Sequence, residues 1–308
     1  MKILVYGAGV LGSYLAHALK RGGNDVTVLA RGKRADELER NGVVVRHFFQ
    51  LRTTVDRVRV IRTLEADDQF DLIFVVMKYS DFPSVLPILA ANQSSHIVIV
   101  GNNADARQMQ AYLEENSRTR KHVAFGFQLS GGRRYEDGRV LAVRGGGQMV
   151  LGGLDGPIPF KSLLDKAFAK ANYKLDYHDD IDAWLKSHII AILVLNAVSF
   201  SPEGVMKKLD GNKKLLMEMI EAMDEGFRVL EAMDITVTPA GQVKFIRERK
   251  RLVYYFLKLY SIVPIYKLID GTISEMEALS SVFVQWKRVT NSLTPSLDKL
   301  ANKFLPHP

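Results

Sequence analysis

In the first half of the 308-residue chain, short apolar runs alternate with amphipathic stretches. The runs at 2–6, 26–30, 43–48, 58–62, 71–76 and 96–100 have strand length, and several gaps between them carry helical periodicity. Strands that alternate with helices imply a parallel or mostly parallel sheet covered on both faces. After Asn102 the pattern becomes glycine-punctuated and strand-like, FGFQLSGGRRYEDGRVLAVRGGGQMVLGG, which is expected to form hairpins extending the same sheet. From Asp176 onward the strand pattern fades, and helical periodicity covers 180–200, 210–233, 238–262 and 274–290. The expectation is an α/β chain: a doubly wound sheet in residues 1–175, then an all-helical C-terminal domain in 176–308. The boundary is placed where the polar stretch Tyr177-His178-Asp179-Asp180 breaks the apolar pattern.

The opening segment, MKILVYGAGVLGSYLAHALKRGGNDVTVLARGKR, sharpens this picture. An export signal would explain Lys2, the apolar run after it and Ala16-His17-Ala18 as a cleavage site. Against that reading, Gly7, Gly9 and Gly12 interrupt the run in GxGxxG spacing, and another strand-like segment follows at 26–30. A strand at 2–6 must turn sharply into a helix beginning near Val10, and each glycine then has its own task. Gly7 makes the turn, Gly9 lets the backbone approach a pyrophosphate at the helix N-terminus, and Gly12 lets helix and strand pack closely. Ala8, Val10 and Leu11 complete the same phosphate-binding turn. The context of strand, turn and helix is the one this motif requires, so the first domain is expected to be Rossmann-like.

The end of the second strand bears on cofactor choice. NAD sites place an acid there for the ribose 2′-hydroxyl, but this chain reads VTVLARGKR. Arg31 holds the acid's place, with Lys33 and Arg34 close behind, and a guanidinium suits a 2′-phosphate. NADP is therefore the expected cofactor.

Composition narrows the remaining classes. There is no cysteine, which removes disulfides, thiolate metal sites and a cysteine nucleophile, and no metal site is expected. No apolar run approaches the roughly 18 residues of a membrane span. A cytoplasmic protein with no membrane partner is the default. The formal charge of +8 is uneven: residues 31–62 carry nine Lys/Arg against four acids, a net of +5. A second basic concentration includes Lys244, Arg247, Arg249, Lys250, Arg251 and Lys258 beside Tyr254, Tyr255 and Phe256. Nucleic acid or an acidic membrane surface would account for these, but a solvated helix face beside its own core stripe is the preferred reading, so no nucleic-acid partner is expected.

Together, GAGVLG, the arginine after the second strand, MK in FVVMKYSD, VGNNADA, GRRYEDGRVLAVRGGGQMVLGG, AWLK and SEMEALSSVFVQWKRVTNSLTP resemble the ketopantoate reductases (2-dehydropantoate 2-reductases) of pantothenate biosynthesis. The N-terminal part matches well and the helical part at scattered positions. The resemblance implies that Lys186 is the general acid that protonates the carbonyl oxygen as hydride arrives. It also implies that Asn102 lies between cofactor and substrate, that Lys78 lies beside the cofactor ribose, and that Glu275 helps hold the substrate. Ser274-Glu275-Met276-Glu277 also reads as a capping box, which would give Glu275 a purely structural setting.

The departures carry their own expectation. Where the family has asparagines four and eight residues after the lysine, this chain has Ile190 and Val194. Asn196 and Ser261 are only loose replacements for the polar substrate contacts. If Ile190 and Val194 face the cleft, the substrate should be more apolar than ketopantoate. The leading expectation is an NADPH-dependent reductase of a 2-oxo acid or related small ketone, compatible with a homodimer. A non-catalytic NADP-binding protein of the same fold, and a family member acting on an apolar ketone or an imine, stay open.

Overall fold

The computed structural model describes residues 1–143, 146–199, 212–262 and 273–304. Among these the chain divides into two compact units, Met1–Asp182 and the helical part from Ala183 onward. The division lies beyond the expected 175/176 boundary because the last strand of the sheet runs to Tyr177 and Ile181 packs against Gly152 of that same sheet.

In the first unit, β1 (Lys2–Tyr6), α1 (Val10–Arg21), β2 (Asp25–Leu29) and α2 (Gly32–Asn41) follow the expected alternation. They are succeeded by β3 (Val43–His47), β4 (Arg52–Asp56), β5 (Arg59–Ile61), β6 (Leu72–Val76), α3 (Phe82–Ala91), β7 (His96–Val100) and α4 (Ala106–Asn116). The unit closes with β8 (His122–Gln128), β9 (Gly132–Arg134), β10 (Val140–Ala142), β11 (Gly147–Gly152), α5 (Lys161–Phe168) and β12 (Tyr173–Tyr177).

The main sheet has eight strands in the order β12-β11-β8-β7-β6-β1-β2-β5, parallel except between β8 and β11. All five residues of β6 are buried, as expected of a central strand covered on both faces. The strand order reverses between β1 and β6, and the crevice at their carboxyl ends is where doubly wound sheets take ligands.

Two expectations about strands are corrected. The run at 43–48 does not join the main sheet. It becomes β3 of a separate four-stranded sheet, β4-β3-β10-β9, with β4 a strand that the apolar pattern did not announce. The hairpin of β9 and β10 joins that small sheet as well, while β8, β11 and β12 extend the large one. The pattern of β3, buried at Val43, Val45 and His47 and half-buried between, shows why: it packs one face, whereas the central strands of the large sheet pack two.

The helical part holds α6 (Ile181–Ser199), α7 (Lys213–Glu231), α8 (Ala240–Glu248), α9 (Lys250–Ile262), α10 (Ile273–Thr290) and α11 (Pro295–Phe304). The single helix expected at 238–262 is broken at Arg249, whose φ of −119° and ψ of 36° leave the helical region. Ion pairs hold both halves to α7: Arg247 meets Asp224 and Glu231, and Lys250 meets Glu221. Helix α11 was not expected, although Thr294-Pro295 is a start signal. The Glu225 carboxylate accepts from the amides of Ser296 and Leu297 and so caps it. The basic face of α9 is not purely solvated polar surface, since Leu252, Tyr255, Phe256 and Leu259 are all exposed beside Arg251. Among the described residues no helix is long and apolar enough to cross a membrane.

Candidate active site

The site begins with the turn between β1 and α1, where three glycines meet three different constraints. Gly7 has φ +118°, and a Cβ there would stand 2.1 Å from the Val76 carbonyl oxygen at the end of β6. A Cβ on Gly12 would stand 1.9 Å from the Gly7 carbonyl oxygen, so this glycine is what lets α1 pack on the turn. Gly9 differs: it is the N-cap of α1, it is exposed, and a Cβ there would meet nothing within 4 Å.

Helix α1 has no side-chain cap and no acid in its first turn. The amides of Val10, Leu11 and Gly12 therefore point beyond the helix end without an intrahelical partner, beside open space over Gly9. Two glycines enforced by contact and one bordering empty space form a cradle that fits a pyrophosphate.

The loop carbonyl of Ala8 is pinned from behind. It accepts from Ser13 Oγ at 3.2 Å and from Arg34 Nε at 3.0 Å. Arg34 also reaches Ser13 Oγ at 2.9 Å, the Gly138 carbonyl at 2.8 Å and Glu37 at 3.1 Å. The expectation that Arg34 adds to a phosphate-binding cluster is thereby corrected: its guanidinium is engaged as a brace of the turn. Burial, the largest influence, lowers its pKa from the usual arginine value, and Glu37 works against that.

Arg31 and Lys33 remain on the surface, with Arg31 at the N-cap of α2 just beyond the end of β2. The first turn of α2 holds no acid. Its later carboxylates are engaged, Glu37 with Arg34 and Asp36 with Arg62.

Lys78 and Asn102 lie on neighbouring loops at the carboxyl ends of β6 and β7. The Met77 amide donates to the Val100 carbonyl at 3.4 Å, and a Cβ on Gly101 would stand 2.5 Å from the Met77 carbonyl oxygen. Lys78 is half-buried and Asn102 is buried. Asn103 is consumed structurally: its Oδ1 accepts from the Asp105 amide at 2.9 Å and its Nδ2 donates to Met109 Sδ at 3.3 Å. Tyr79 donates to Asp105, and burial with that bond holds its phenol well above the usual range. The carboxyl edges of β1, β6 and β7 thus gather Gly7, Ala8, Gly9, Val10, Leu11, Gly12, Lys78 and Asn102, and Arg31 stands at the edge of β2.

Lys186 and Glu275 belong to the helical unit. Lys186 is half-buried in the second turn of α6, and Glu275 is half-buried in the first turn of α10. Because α10 already includes Ile273, Ser274 lies inside the helix and cannot act as the N-cap of the expected capping box.

Ile190 and Val194 are 0% and 1% exposed. Ile190 lies against α7, where a Cβ on Gly226 would meet its Cγ2 at 2.4 Å. Both side chains are therefore buried in the helical part, where an apolar residue is explained by packing alone. Asn196 is half-buried, and the side chain of Ser261 lies outside the described residues.

Two residues were missed by sequence reasoning. The bracing role of Arg34 was masked by two other cations within three positions. Gln128, fully buried at the end of β8, was hidden as the one amide in the strand HVAFGFQ, after the apolar run from Val123 to Phe127.

The family model of ketopantoate reductase PanE/ApbA matches residues 3–156. Among curated proteins, an uncharacterized oxidoreductase, YkpB, of Bacillus subtilis (strain 168) is 51% identical over 45 residues, which span 15% of each chain. Among solved structures, 2-dehydropantoate 2-reductase from Methylococcus capsulatus matches with a TM-score of 0.72 at 18% identity, covering 98% of this chain and 95% of that one. The corresponding enzyme from Geobacter metallireducens matches at 0.75 and 18%, covering 99% of both. A ternary structure of D-mandelate dehydrogenase with NADH and anilino(oxo)acetate matches at 0.77 and 16%, covering 99% of this chain and 97% of that one. With a glycine cradle at the switch point of a doubly wound sheet, a helical second part and the family model matched across half its length, the chain belongs to the ketopantoate reductase PanE/ApbA family of oxidoreductases.

Proposed function

We propose that the protein is an NADPH-dependent reductase of a 2-oxo acid or related small ketone, with Lys186 as general acid. The observation that carries this reading is the cradle: a glycine-bounded helix N-terminus left open over Gly9, with Arg31 rather than a carboxylate beyond β2. The turn amides and Gly9 would take the pyrophosphate, Arg31 with Lys33 the 2′-phosphate, and Lys78 the ribose.

Bound there, the dinucleotide would supply a hydride. The chain's own task is then to hold a carbonyl and manage the charge that appears on its oxygen. An alkoxide forming in a partly dehydrated site is stabilised by an ammonium, which also delivers the proton, and Lys186 has that role. Asn102 orients the carbonyl, and Glu275 helps hold the substrate.

Substrate choice is part of the same proposal. Since Ile190 and Val194 are core residues, ketopantoate and other polar 2-oxo acids belong in the assay panel alongside apolar ones, and the D-mandelate dehydrogenase likeness adds aromatic 2-oxo acids and NADH. The test is steady-state reduction of that panel with each cofactor. A substrate with kcat/KM above about 10⁴ M⁻¹s⁻¹ with NADPH is the expected result, and no turnover by a protein that binds NADPH would favour the non-catalytic alternative.

A further inference from the structure

Gln128 ends β8, and its side chain is 0% exposed. Among the described residues neither Oε1 nor Nε2 has a hydrogen-bond partner. A buried polar atom left unsatisfied costs about 1–3 kcal/mol, and this side chain carries two. Hydrophobic burial cannot explain retaining an amide where a leucine or methionine would fill similar space.

The location narrows what the amide is for. The Gly101 amide donates to the Gly126 carbonyl at 3.0 Å, so the loop carrying Asn102 leaves the sheet level with the last residues of β8. Gln128 shares a sheet face with Val100 and Met149, the face on which α1 packs. Four residues on, a Cβ at Gly132 would lie 3.2 Å from Val10 Cγ1, in the first turn of α1. The stretch from Gln128 to Gly132 therefore runs from beside the Asn102 loop to the glycine cradle. Ser130, two residues past the end of β8, has a buried hydroxyl oxygen that also lacks a partner among the described residues. This is the carboxyl edge of the sheet, beyond the switch point from the half that takes the adenosine.

The chemistry of the orphaned pair selects among ligands. One atom is a donor and the other an acceptor. A carboxylate, which only accepts, would leave Oε1 unsatisfied, whereas a primary carboxamide both donates and accepts and would satisfy both.

We propose that Gln128 is a binding residue for the nicotinamide carboxamide, reached by a shift of the half-buried segment Leu129, Ser130 and Gly131 that adjoins it. This rests on the dinucleotide reading and adds to it the residue that recognises the nicotinamide end.

The experiment is calorimetric titration of wild type and Gln128→Leu with NADP⁺ and with 2′-phospho-ADP-ribose, which lacks the nicotinamide, alongside thermal melting of the ligand-free proteins. Wild type binds both ligands. Gln128→Leu loses about tenfold or more of its affinity for NADP⁺, the order of two neutral hydrogen bonds, keeps its affinity for the fragment, and melts no lower than wild type. Gln128→Met, unbranched and of similar length, repeats the pattern and guards against a misfit of leucine. A variant pair that binds NADP⁺ as wild type does, or loses both ligands equally, overturns the inference while leaving the dinucleotide reading intact. A wild type that binds neither ligand overturns both.

Discussion

The glycine cradle and helix α6 are both carried by short motifs, GAGVLG and AWLK, yet the two differ in how far the motif determines its surroundings. At the cradle, the atoms that exclude a side chain belong to backbone within the same turn or the adjacent strand end: Gly7 against Val76 and Gly12 against Gly7. On α6, the position one turn beyond Lys186 is settled by side-chain packing against another helix, since Ile190 is closed over by Gly226. Spacing says that Lys186 and Ile190 share a helix face. It does not say what covers that face.

Substitutions at two of the glycines separate packing from binding with the largest expected effect. Gly12→Ala drives a Cβ into a carbonyl oxygen 1.9 Å away, so a loss above the usual 1–3 kcal/mol of overpacking is expected. Gly9→Ala enters open space at a φ of −68°, which alanine tolerates. Its melting temperature should stay near wild type while NADPH affinity falls at least tenfold. Melting curves and fluorescence titrations on the two variants decide it, and equal effects on stability would contradict the division of roles.

The matching test on α6 is Ile190→Asn, which restores the residue type the family resemblance leads one to expect. Because Ile190 is core, the asparagine would lose apolar burial and bury an amide against α7, with a cost of about 3 kcal/mol or more. A variant as stable as wild type, with improved ketopantoate turnover, would show that the position faces substrate after all.

Acid should weaken the helical unit by up to a similar amount. His188 stacks on Trp184 with ring centroids 5.0 Å apart, and burial pushes its imidazole down from 6.5 to about 4. The folded chain then binds fewer protons than the unfolded one. The stabilisation is present above about pH 6.5 and is lost as pH falls toward 4, at most about 3 kcal/mol at 1.36 kcal/mol per pH unit. In the first unit burial also lowers His17, against the pull of Asp56, and His47. The chain's two tryptophans, Trp184 and Trp286, both lie in the helical unit. Urea midpoints read by their fluorescence should therefore drop between pH 7.5 and 4.5 and drop less in His188→Gln; a flat or rising midpoint contradicts this.

The smallest expected effect separates two arginines three residues apart. Arg34→Met should weaken NADPH and NADH alike, because the brace on Ala8 serves either dinucleotide. Arg31→Ala should weaken NADPH about tenfold and leave NADH nearly unchanged, the loss of one charge-assisted hydrogen bond. Titration of both cofactors against both variants would expose the reverse pattern if Arg34 were the phosphate ligand.

Most of the first unit was legible because local rules act over a few residues: apolar runs for central strands and glycine spacing for the turn. What escaped depends on distant partners. The departure of β3 into a second sheet is fixed by β10, almost a hundred residues later. The break at Arg249 accompanies ion pairs to α7, and the bracing role of Arg34 requires Ala8 and Gly138 to be known neighbours. Gln128 left no periodic signal, because one amide at the end of a buried strand looks like its boundary.

Hydride transfer from NADPH to a carbonyl, with Lys186 as the acid, can be followed by isotope transfer. Wild type and Lys186→Met are incubated with 4-deuterated NADPH and the 2-oxo acid panel, and the hydroxy acids are read by mass spectrometry. The account predicts one deuterium at the new carbinol carbon of at least one product, formed about 10² to 10⁴ times more slowly by Lys186→Met, the range for general acid catalysis, with NADPH binding unchanged. Deuterated product formed at equal rates by both proteins, or no deuterium in any product from a wild type that binds NADPH, would contradict it.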